Sequence, residues 1–258
     1  SSFAQKTDWS RRFAWQSELL AYSAECAITA GLLPHCRFNT EVTSAHFDEA
    51  RNLWQVTMAD GSVLEARQLV SGVGQLHHPA TPEIPGRREF AGVQFHSARW
   101  DHSVDLTAKR VAVIGNAASA VQFVPQIAPQ VARLTVFQRS ANWLLPRNDK
   151  LYSPRLHRTM ARWPWLARLR HDFQWLFFGE MQLTPLMKQV RPVVWLARRK
   201  GMGHLRRQVR DPALRAKLVP DFPIGAKRVL FSDDYYPALG RPNVEVVTDA
   251  IEAIVPDG

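Results

Sequence analysis

The stretch KRVAVIGNAASAVQFVPQIAPQVARLTVFQRS, residues 109–140, decides the predicted fold of this chain. An apolar run at residues 111–114 is followed by small and polar residues at 115–120, and then by apolar side chains at helical spacing. A second apolar run at residues 134–137 closes the stretch. Strand, glycine turn, helix and strand in this order are typical of a βαβ mononucleotide-binding unit, so we predict an α/β fold with a parallel sheet.

The turn between the first strand and the helix carries residues that suit a bound pyrophosphate. Gly115 and Ala120 match the first and last small residues of the fingerprint G-x-G-x-x-G/A, and Ala117 stands where the second glycine is expected. Together with Ser119 they are candidate cofactor-binding residues, because small side chains let the backbone approach the anion and a helix N-terminus offers N–H groups. Such turns also occur in proteins that bind no nucleotide, so a purely structural turn is the alternative.

Arg139 and Ser140, at the end of the second strand, predict which dinucleotide binds. Proteins that bind NAD carry an acidic residue near this position to hold the ribose 2′-hydroxyl. A guanidinium and a hydroxyl suit a 2′-phosphate instead. The pattern therefore favours NADP(H) over NAD(H).

The composition of the 258 residues is that of a globular protein, with 46% hydrophobic and 22% charged residues. The sequence contains no run of about 18 uncharged apolar residues, so we expect no integral membrane segment. Cys26 and Cys36 have neither metal-ligand spacing nor the number that a disulfide framework needs. We therefore predict no metal site and expect a cytoplasmic protein.

The net charge of +10 is concentrated in one part of the chain. Residues 147–228 hold 19 Lys and Arg against 5 Asp and Glu. This block predicts either attraction to nucleic acid or anionic lipid, or the solvated face of helices beside an anionic cofactor.

The segment before the βαβ unit has the pattern of a second, smaller α/β region. Residues 8–30 have roughly helical apolar spacing, and residues 40–70 alternate as strands do, with a hairpin turn at Asp60 and Gly61. Residues 79–86 are rich in proline and predict a linker between domains. We interpret this order as the chain leaving one nucleotide-binding domain for the next.

Residues 90–101, FAGVQFHSARWD, directly precede the βαβ unit and carry a specific motif. All five fixed positions of F-x-G-x-x-x-H-x-x-x-W-P/D are matched, by Phe90, Gly92, His96, Trp100 and Asp101. On this motif the chain resembles the Baeyer–Villiger monooxygenases, a family of flavin-dependent, class B monooxygenases. Residues 220–236, PDFPIGAKRVLFSDDYY, resemble the segment that carries this family's active-site Lys-Arg pair.

The resemblance implies two Rossmann-like dinucleotide-binding domains, one for FAD and one for NADP(H), with a helical insertion in the second at about residues 151–217. Residues 1–86 are then an incomplete FAD domain with the crossover linker, residues 87–240 the NADP(H) domain, and residues 241–258 the start of the return to the FAD domain. The family's first G-x-G-x-x-G is absent from this sequence, so the chain resembles an interior fragment. The basic side chains of residues 147–228 would then form the solvent-exposed face of the helices in the insertion. We therefore expect no nucleic-acid partner.

An activity is implied as well: with NADPH, FAD and O2, one oxygen atom is inserted beside the carbonyl of a small-molecule ketone to give an ester or lactone. Arg228 and His96 are then the candidate catalytic residues, and the guanidinium of Arg228 suits a developing oxyanion. Lys227, Trp100 and Gly74 join the candidate cofactor-binding residues.

Two alternatives stay open at the level of function. A flavin-containing monooxygenase that oxidises N or S atoms shares the layout of two nucleotide domains. A catalytically inactive nucleotide-binding module shares the glycine turn. Asp101 and the long insertion favour the Baeyer–Villiger interpretation.

Overall fold

The computed structural model describes residues 4–74, 76 and 78–258, apart from the side chains of residues 178–180 and 182. These residues form two compact units, Trp15–Ala80 and a larger unit made of residues 4–14 and 81–258. Each unit is built around its own β-structure.

The smaller unit contains one helix and an antiparallel sheet. Helix α1 (Gln16–Thr29) is followed by strands β1 (Val42–Asp48), β2 (Leu53–Met58) and β3 (Val63–Ala66), which pair in that order. Asp60 and Gly61 form the β2–β3 turn as predicted, since Gly61 has a φ of +82° and Asp60 Oδ1 accepts from the Ser62 N–H at 2.9 Å.

The predicted helix at residues 8–30 is shorter in the structure, because it begins at Gln16. Residues 4–14 belong to the larger unit, and several of them form hydrogen bonds there. The Trp9 carbonyl accepts from His157 Nε2 at 2.9 Å, and the Arg12 N–H donates to the Lys150 carbonyl at 3.0 Å. These long-range bonds take backbone groups that a longer helix would have used internally.

The larger unit is organised by the stretch that predicted the fold. Its elements follow in chain order: β4 (Arg110–Ile114), α2 (Ala118–Ile127), β5 (Arg133–Phe137), β6 (Leu144–Leu145), α3 (Pro154–Arg162), α4 (Pro164–Gln174), a π-helix (Trp175–Leu183), α5 (Thr184–Met187), α6 (Arg191–Gln208), α7 (Pro212–Lys217), β7 (Leu230–Phe231), α8 (Tyr235–Leu239) and β8 (Val244–Val247).

A parallel sheet with the order β4-β5-β8 forms the core of the larger unit, which confirms the predicted α/β class. Val113, Val136 and Val246 occupy adjacent positions across its three strands and are all buried. Helix α2 covers the sheet with its own apolar side, on which Val124 is fully buried. Burying these side chains is the main stabilising term for this layer.

Residues 244–247 lie elsewhere than the sequence predicted. We expected residues 241–258 to begin a return to another domain, but β8 pairs in parallel with β5 and contributes Val246 to the same core. The third strand of a βαβαβ arrangement normally follows after one helix, whereas here the whole helical insertion lies between β5 and β8. Strand pairing across so long a separation leaves no local pattern in the sequence.

The insertion is helical, as predicted. Pro164, Pro185, Pro192 and Pro212 each stand in the first turn of a helix, where the missing N–H of proline leaves no hydrogen bond unmade. Within the described part of the chain, no helix combines the length and the apolar character that crossing a membrane requires.

Candidate functional site

The turn between β4 and α2 presents an uncovered helix N-terminus at the carboxyl edge of the sheet. Gly115 has a φ of +101°, which side-chain-bearing residues rarely adopt, and its N–H donates to the Phe137 carbonyl at 2.9 Å. Ala117 occupies the N-cap position of α2 and supplies no side-chain cap. Gly115, Ala117 and Ser119 are all exposed, so the first backbone N–H groups of α2 and the Ser119 hydroxyl suit an anion.

Ala120 differs from the other candidate residues of the turn. Its side chain is 5% exposed and belongs to the core between α2 and the sheet. A small residue at this place of the fingerprint permits close packing of helix on strand. We therefore assign Ala120 a packing role in place of the predicted cofactor contact.

Arg139 and Ser140 are tied to this turn by side-chain amides. Asn116, in the turn, donates from Nδ2 to the Ser140 carbonyl and to Gln138 Oε1, both at 2.9 Å. Asn142 Nδ2 donates back to the Asn116 carbonyl at 2.8 Å. Arg139 itself is exposed. The structure thus brings the predicted pyrophosphate turn and the predicted 2′-phosphate residues together.

We call Asn116, Gln138 and Asn142 the amide clamp. Gln138 is 3% exposed, and its Nε2 donates to the Lys217 carbonyl, at the end of α7, at 2.8 Å. Sequence reasoning missed all three residues. The available sign was that Asn116 and Gln138 each stand just after one of two parallel strands, where side chains of neighbouring strands meet.

Lys227 and Arg228 lie in the loop before β7, and both are exposed. Strand β7 pairs in parallel with β6, and Trp143 Nε1 donates to the Phe222 carbonyl at 2.7 Å. The Lys227 ammonium stands 4.3 Å from the centroid of the Phe222 ring. These contacts hold the Lys-Arg loop against the segment that directly follows Ser140.

His96 and Trp100 lie at the two ends of a short 3₁₀ helix, Ser97–Arg99. His96 Nδ1 accepts a hydrogen bond from the Ala98 N–H at 3.1 Å, which leaves Nε2 as the ring nitrogen that carries the proton. Trp100 packs on Phe95 and on Phe123 of α2, with ring centroids 5.2 and 5.1 Å apart. The motif thereby anchors the segment before β4 on the helix that begins at the nucleotide turn.

Gly74 belongs to the smaller unit, where it is exposed and has a φ of +74°. Its predicted role as a cofactor contact stays a prediction.

Three buried groups of the larger unit, His204, Tyr235 and Tyr236, have pKa values that burial shifts. His204 is 3% exposed and its Nε2 donates to the Ser232 carbonyl at 2.9 Å. Burial lowers the pKa of His204 and raises the pKa of Tyr235 and Tyr236 well above the usual range. His204 packs on Tyr236, with ring centroids 5.5 Å apart, so these three groups belong to the core.

Comparison with known proteins agrees with this geometry. The family model described as pyridine nucleotide-disulphide oxidoreductase matches residues 5–163. A Baeyer–Villiger monooxygenase of Streptomyces coelicolor is 42% identical over 98% of this chain, and one of Pseudomonas aeruginosa is 40% identical over all of it. In both cases the match covers 48% of the relative, so the chain spans about half the length of the curated relatives it matches.

Solved structures show the same likeness. A crystal structure of OTEMO in complex with FAD and NADP superposes with a TM-score of 0.82 at 29% identity, over 97% of this chain and 55% of the other. An oxidised steroid monooxygenase bound to NADP superposes with a TM-score of 0.79 at 32% identity, over 93% of this chain and 52% of the other. The chain therefore belongs to the pyridine nucleotide-disulphide oxidoreductase family, and the relatives from Streptomyces coelicolor and Pseudomonas aeruginosa that it resembles in sequence are Baeyer–Villiger monooxygenases.

Proposed function

We propose that this chain supplies the NADP(H)-binding part of an NADPH- and FAD-dependent Baeyer–Villiger monooxygenase. The observation that carries the proposal is the hydrogen bond from Asn116 to the Ser140 carbonyl. It joins the N-terminus of α2, which has no side-chain cap, to the loop that carries the exposed Arg139. A pyrophosphate suits the first and a 2′-phosphate suits the second. The NADP named in the two related structures supports the same cofactor here.

The residues present fit NADP(H) well. Gly115, Ala117 and Ser119 would hold the pyrophosphate, and Arg139 with Ser140 the 2′-phosphate. Lys227 adds a positive charge on the neighbouring loop. We propose residues 87–240 as the NADP(H)-binding domain, with β8 as an added strand of its sheet.

FAD is proposed as the second cofactor on the strength of the relatives, and it would supply the oxygen chemistry. Among the helices that the structure describes, α2 is the one that follows a strand and a glycine turn. Gly74, in the smaller unit, is the residue that we propose for the FAD side. The described chain thus offers a dinucleotide turn for NADP(H), with Ala117 at the place of the second glycine, and none for FAD.

Arg228 is the residue that we propose to stabilise the oxyanion formed on the substrate. It is exposed and permanently charged, and a guanidinium can donate two parallel hydrogen bonds to one oxygen-bearing group. His96 accepts the Ala98 N–H within the segment before β4 and keeps its Nε2–H available as a donor. We propose His96 as a residue that positions the segment before β4 for the bound cofactor.

The proposed substrate is a small-molecule ketone together with O2, and the product is an ester or lactone. An N- or S-oxidising monooxygenase and an inactive nucleotide-binding module are the competing functions. We propose a cytoplasmic location, because Cys26 and Cys36 form no disulfide and NADPH is an intracellular reductant.

Two experiments test the proposal. Titration calorimetry of this chain should show NADP⁺ binding at least about tenfold more tightly than NAD⁺, the ratio expected for one added charge-assisted contact. In a chimera, this chain replaces the matching part of the Streptomyces coelicolor relative, and the purified, FAD-loaded protein is given NADPH with cyclohexanone or with methyl phenyl sulfide. A lactone supports the proposal. Sulfoxide without lactone favours the N- or S-oxidising alternative, and NADPH binding without either product favours the inactive module.

A further inference from the structure

The amide clamp joins three parts of the larger unit at the carboxyl edge of the parallel sheet. Asn116 follows β4, Gln138 follows β5, and Lys217 ends α7. The Lys217 carbonyl accepts from Gln138, and its Nζ donates to the Val246 carbonyl of β8 at 2.7 Å. The turn, the loop after β5 and the end of the insertion are therefore fixed to one another.

Each amide of the clamp has a single orientation that satisfies its partners. A carbonyl oxygen can only accept, so the NH₂ group of Gln138 must point at Lys217 and its Oε1 at Asn116. Both hydrogens of Asn116 Nδ2 are used within the protein, on Gln138 and Ser140. Because Gln138 is 3% exposed, a broken bond here leaves a buried polar group without water.

We infer that the amide clamp is a specificity-determining positioning device for NADP(H). The clamp holds the backbone of Ser140, and with it the neighbouring Arg139, beside the Gly115 turn, so that one ligand can contact both. The inference rests on the proposed cofactor site, but it assigns selectivity to residues through the hydrogen bonds that their amide groups make within the protein. Loosening the clamp should weaken the 2′-phosphate contact while leaving the pyrophosphate turn in place.

The test compares near-isosteric and matched variants of the 258-residue chain by calorimetry with NADP⁺ and NAD⁺. Asn116→Leu keeps the number and branching of the side-chain heavy atoms and removes both donated hydrogen bonds. We expect the Kd for NADP⁺ to rise about tenfold and the Kd for NAD⁺ to stay within about twofold, because the second ligand lacks the 2′-phosphate. Gln130→Leu is the control, since exposed Gln130 donates one bond to the Gln126 carbonyl at 3.0 Å, at the far end of α2. Its two Kd values should not change.

A double-variant experiment asks whether the clamp acts through Arg139. If it does, adding Asn116→Leu to Arg139→Ala should leave the ratio of the two Kd values where Arg139→Ala alone puts it. Circular dichroism checks that each variant is folded. If Asn116→Leu does not fold, Asn142→Ala replaces it, because it removes a single hydrogen bond of a half-buried side chain. We expect it to change the ratio of the Kd values for NADP⁺ and NAD⁺ about threefold.

The possible outcomes separate the two proposals. Equal weakening of NADP⁺ and NAD⁺ by a folded clamp variant, or full additivity with Arg139→Ala, overturns the inference and leaves the NADP(H) site standing. An unmodified chain that binds NADP⁺ no better than NAD⁺ overturns the proposed cofactor choice, and the clamp inference falls with it. Selective loss of NADP⁺ that disappears in the Arg139→Ala background supports both.

Discussion

Replacing Arg139 by alanine is the most direct perturbation of the proposed cofactor choice. Arg139 is exposed at the end of β5, one residue before the Ser140 carbonyl that Asn116 holds. The substitution removes a guanidinium and leaves the turn, the clamp and the helix N-terminus in place. NAD(H) lacks the 2′-phosphate that this guanidinium would bind, so the change should affect NADP(H) binding and leave NAD(H) binding nearly unchanged.

The exposure of Arg139 sets the magnitude of the expected effect. A hydrogen bond to a charged group contributes about 1.5–3 kcal/mol, and solvent around an exposed side chain reduces the electrostatic part. We therefore take the lower limit, about 1.5 kcal/mol, which corresponds to roughly a tenfold change in Kd. Added salt should reduce the NADP⁺ preference of the unmodified chain, because it screens the same charges.

Calorimetry with NADP⁺ and NAD⁺ measures this effect, and Arg133→Ala is the matched control. Arg133 lies at the opposite end of β5, where it forms an ion pair with Glu245 at 2.6 Å. Arg139→Ala should weaken NADP⁺ about tenfold and NAD⁺ hardly at all, and the control should change neither. If Arg139→Ala weakened both ligands equally, Arg139 would not read the 2′-phosphate and the reasoning from the end of β5 would be refuted.

Four further predictions follow from single features of the structure. Ala117→Gly should tighten NADP⁺ binding in calorimetry, because the exposed methyl group stands where the backbone approaches a pyrophosphate, and weaker binding by a folded variant would contradict this. In the chimera, Arg228→Ala should lower lactone yield by about 10²-fold while NADPH consumption continues, as chromatography beside NADPH absorbance would show; an unchanged yield would remove Arg228 from the mechanism. Burial lowers the pKa of His204 below 6.5, so the stability that its neutral form contributes should be fully present above pH 6.5 and decrease as the pH falls through that value. The melting temperature of His204→Gln should therefore depend less on pH than that of the unmodified chain. Tyr235→Phe should raise the melting temperature slightly, since the buried Tyr235 hydroxyl has no hydrogen-bond partner among the described residues; a clear decrease would show that the hydroxyl is satisfied.

The part of the fold that depends on local periodicity could be predicted from the sequence. The β4–α2–β5 unit follows directly from apolar spacing around Gly115, and the prolines of the insertion mark the starts of helices. The turn residues and Arg139 were predicted because their chemistry depends on position along one continuous stretch. Ala120 was assigned to the cofactor because it completes the fingerprint, but the last small residue of that fingerprint packs helix on strand, and the side chain of Ala120 is buried there.

The remaining features depend on contacts between distant segments. Strand β8 is an ordinary apolar strand in sequence, and its place beside β5 becomes visible through the pairing of Val136 with Val246. Likewise, no spacing rule relates Gln138 to the Lys217 carbonyl, because that hydrogen bond exists only once the insertion has folded back on the sheet.

Lys217 gives the helical insertion a structural connection to the nucleotide turn. Its carbonyl accepts from Gln138 and its ammonium donates to Val246, so the last residue of α7 is bound both to the clamp and to the sheet. The Asp211 carboxylate caps the start of the same short helix through the Ala213 and Leu214 N–H groups, at 2.9 and 3.3 Å. Because α7 is held at both ends, a displacement of the insertion must either break these bonds or move the loop that carries Arg139. The insertion is thus joined to the selectivity of the cofactor site through backbone and amide hydrogen bonds, and not through any side chain that faces the ligand.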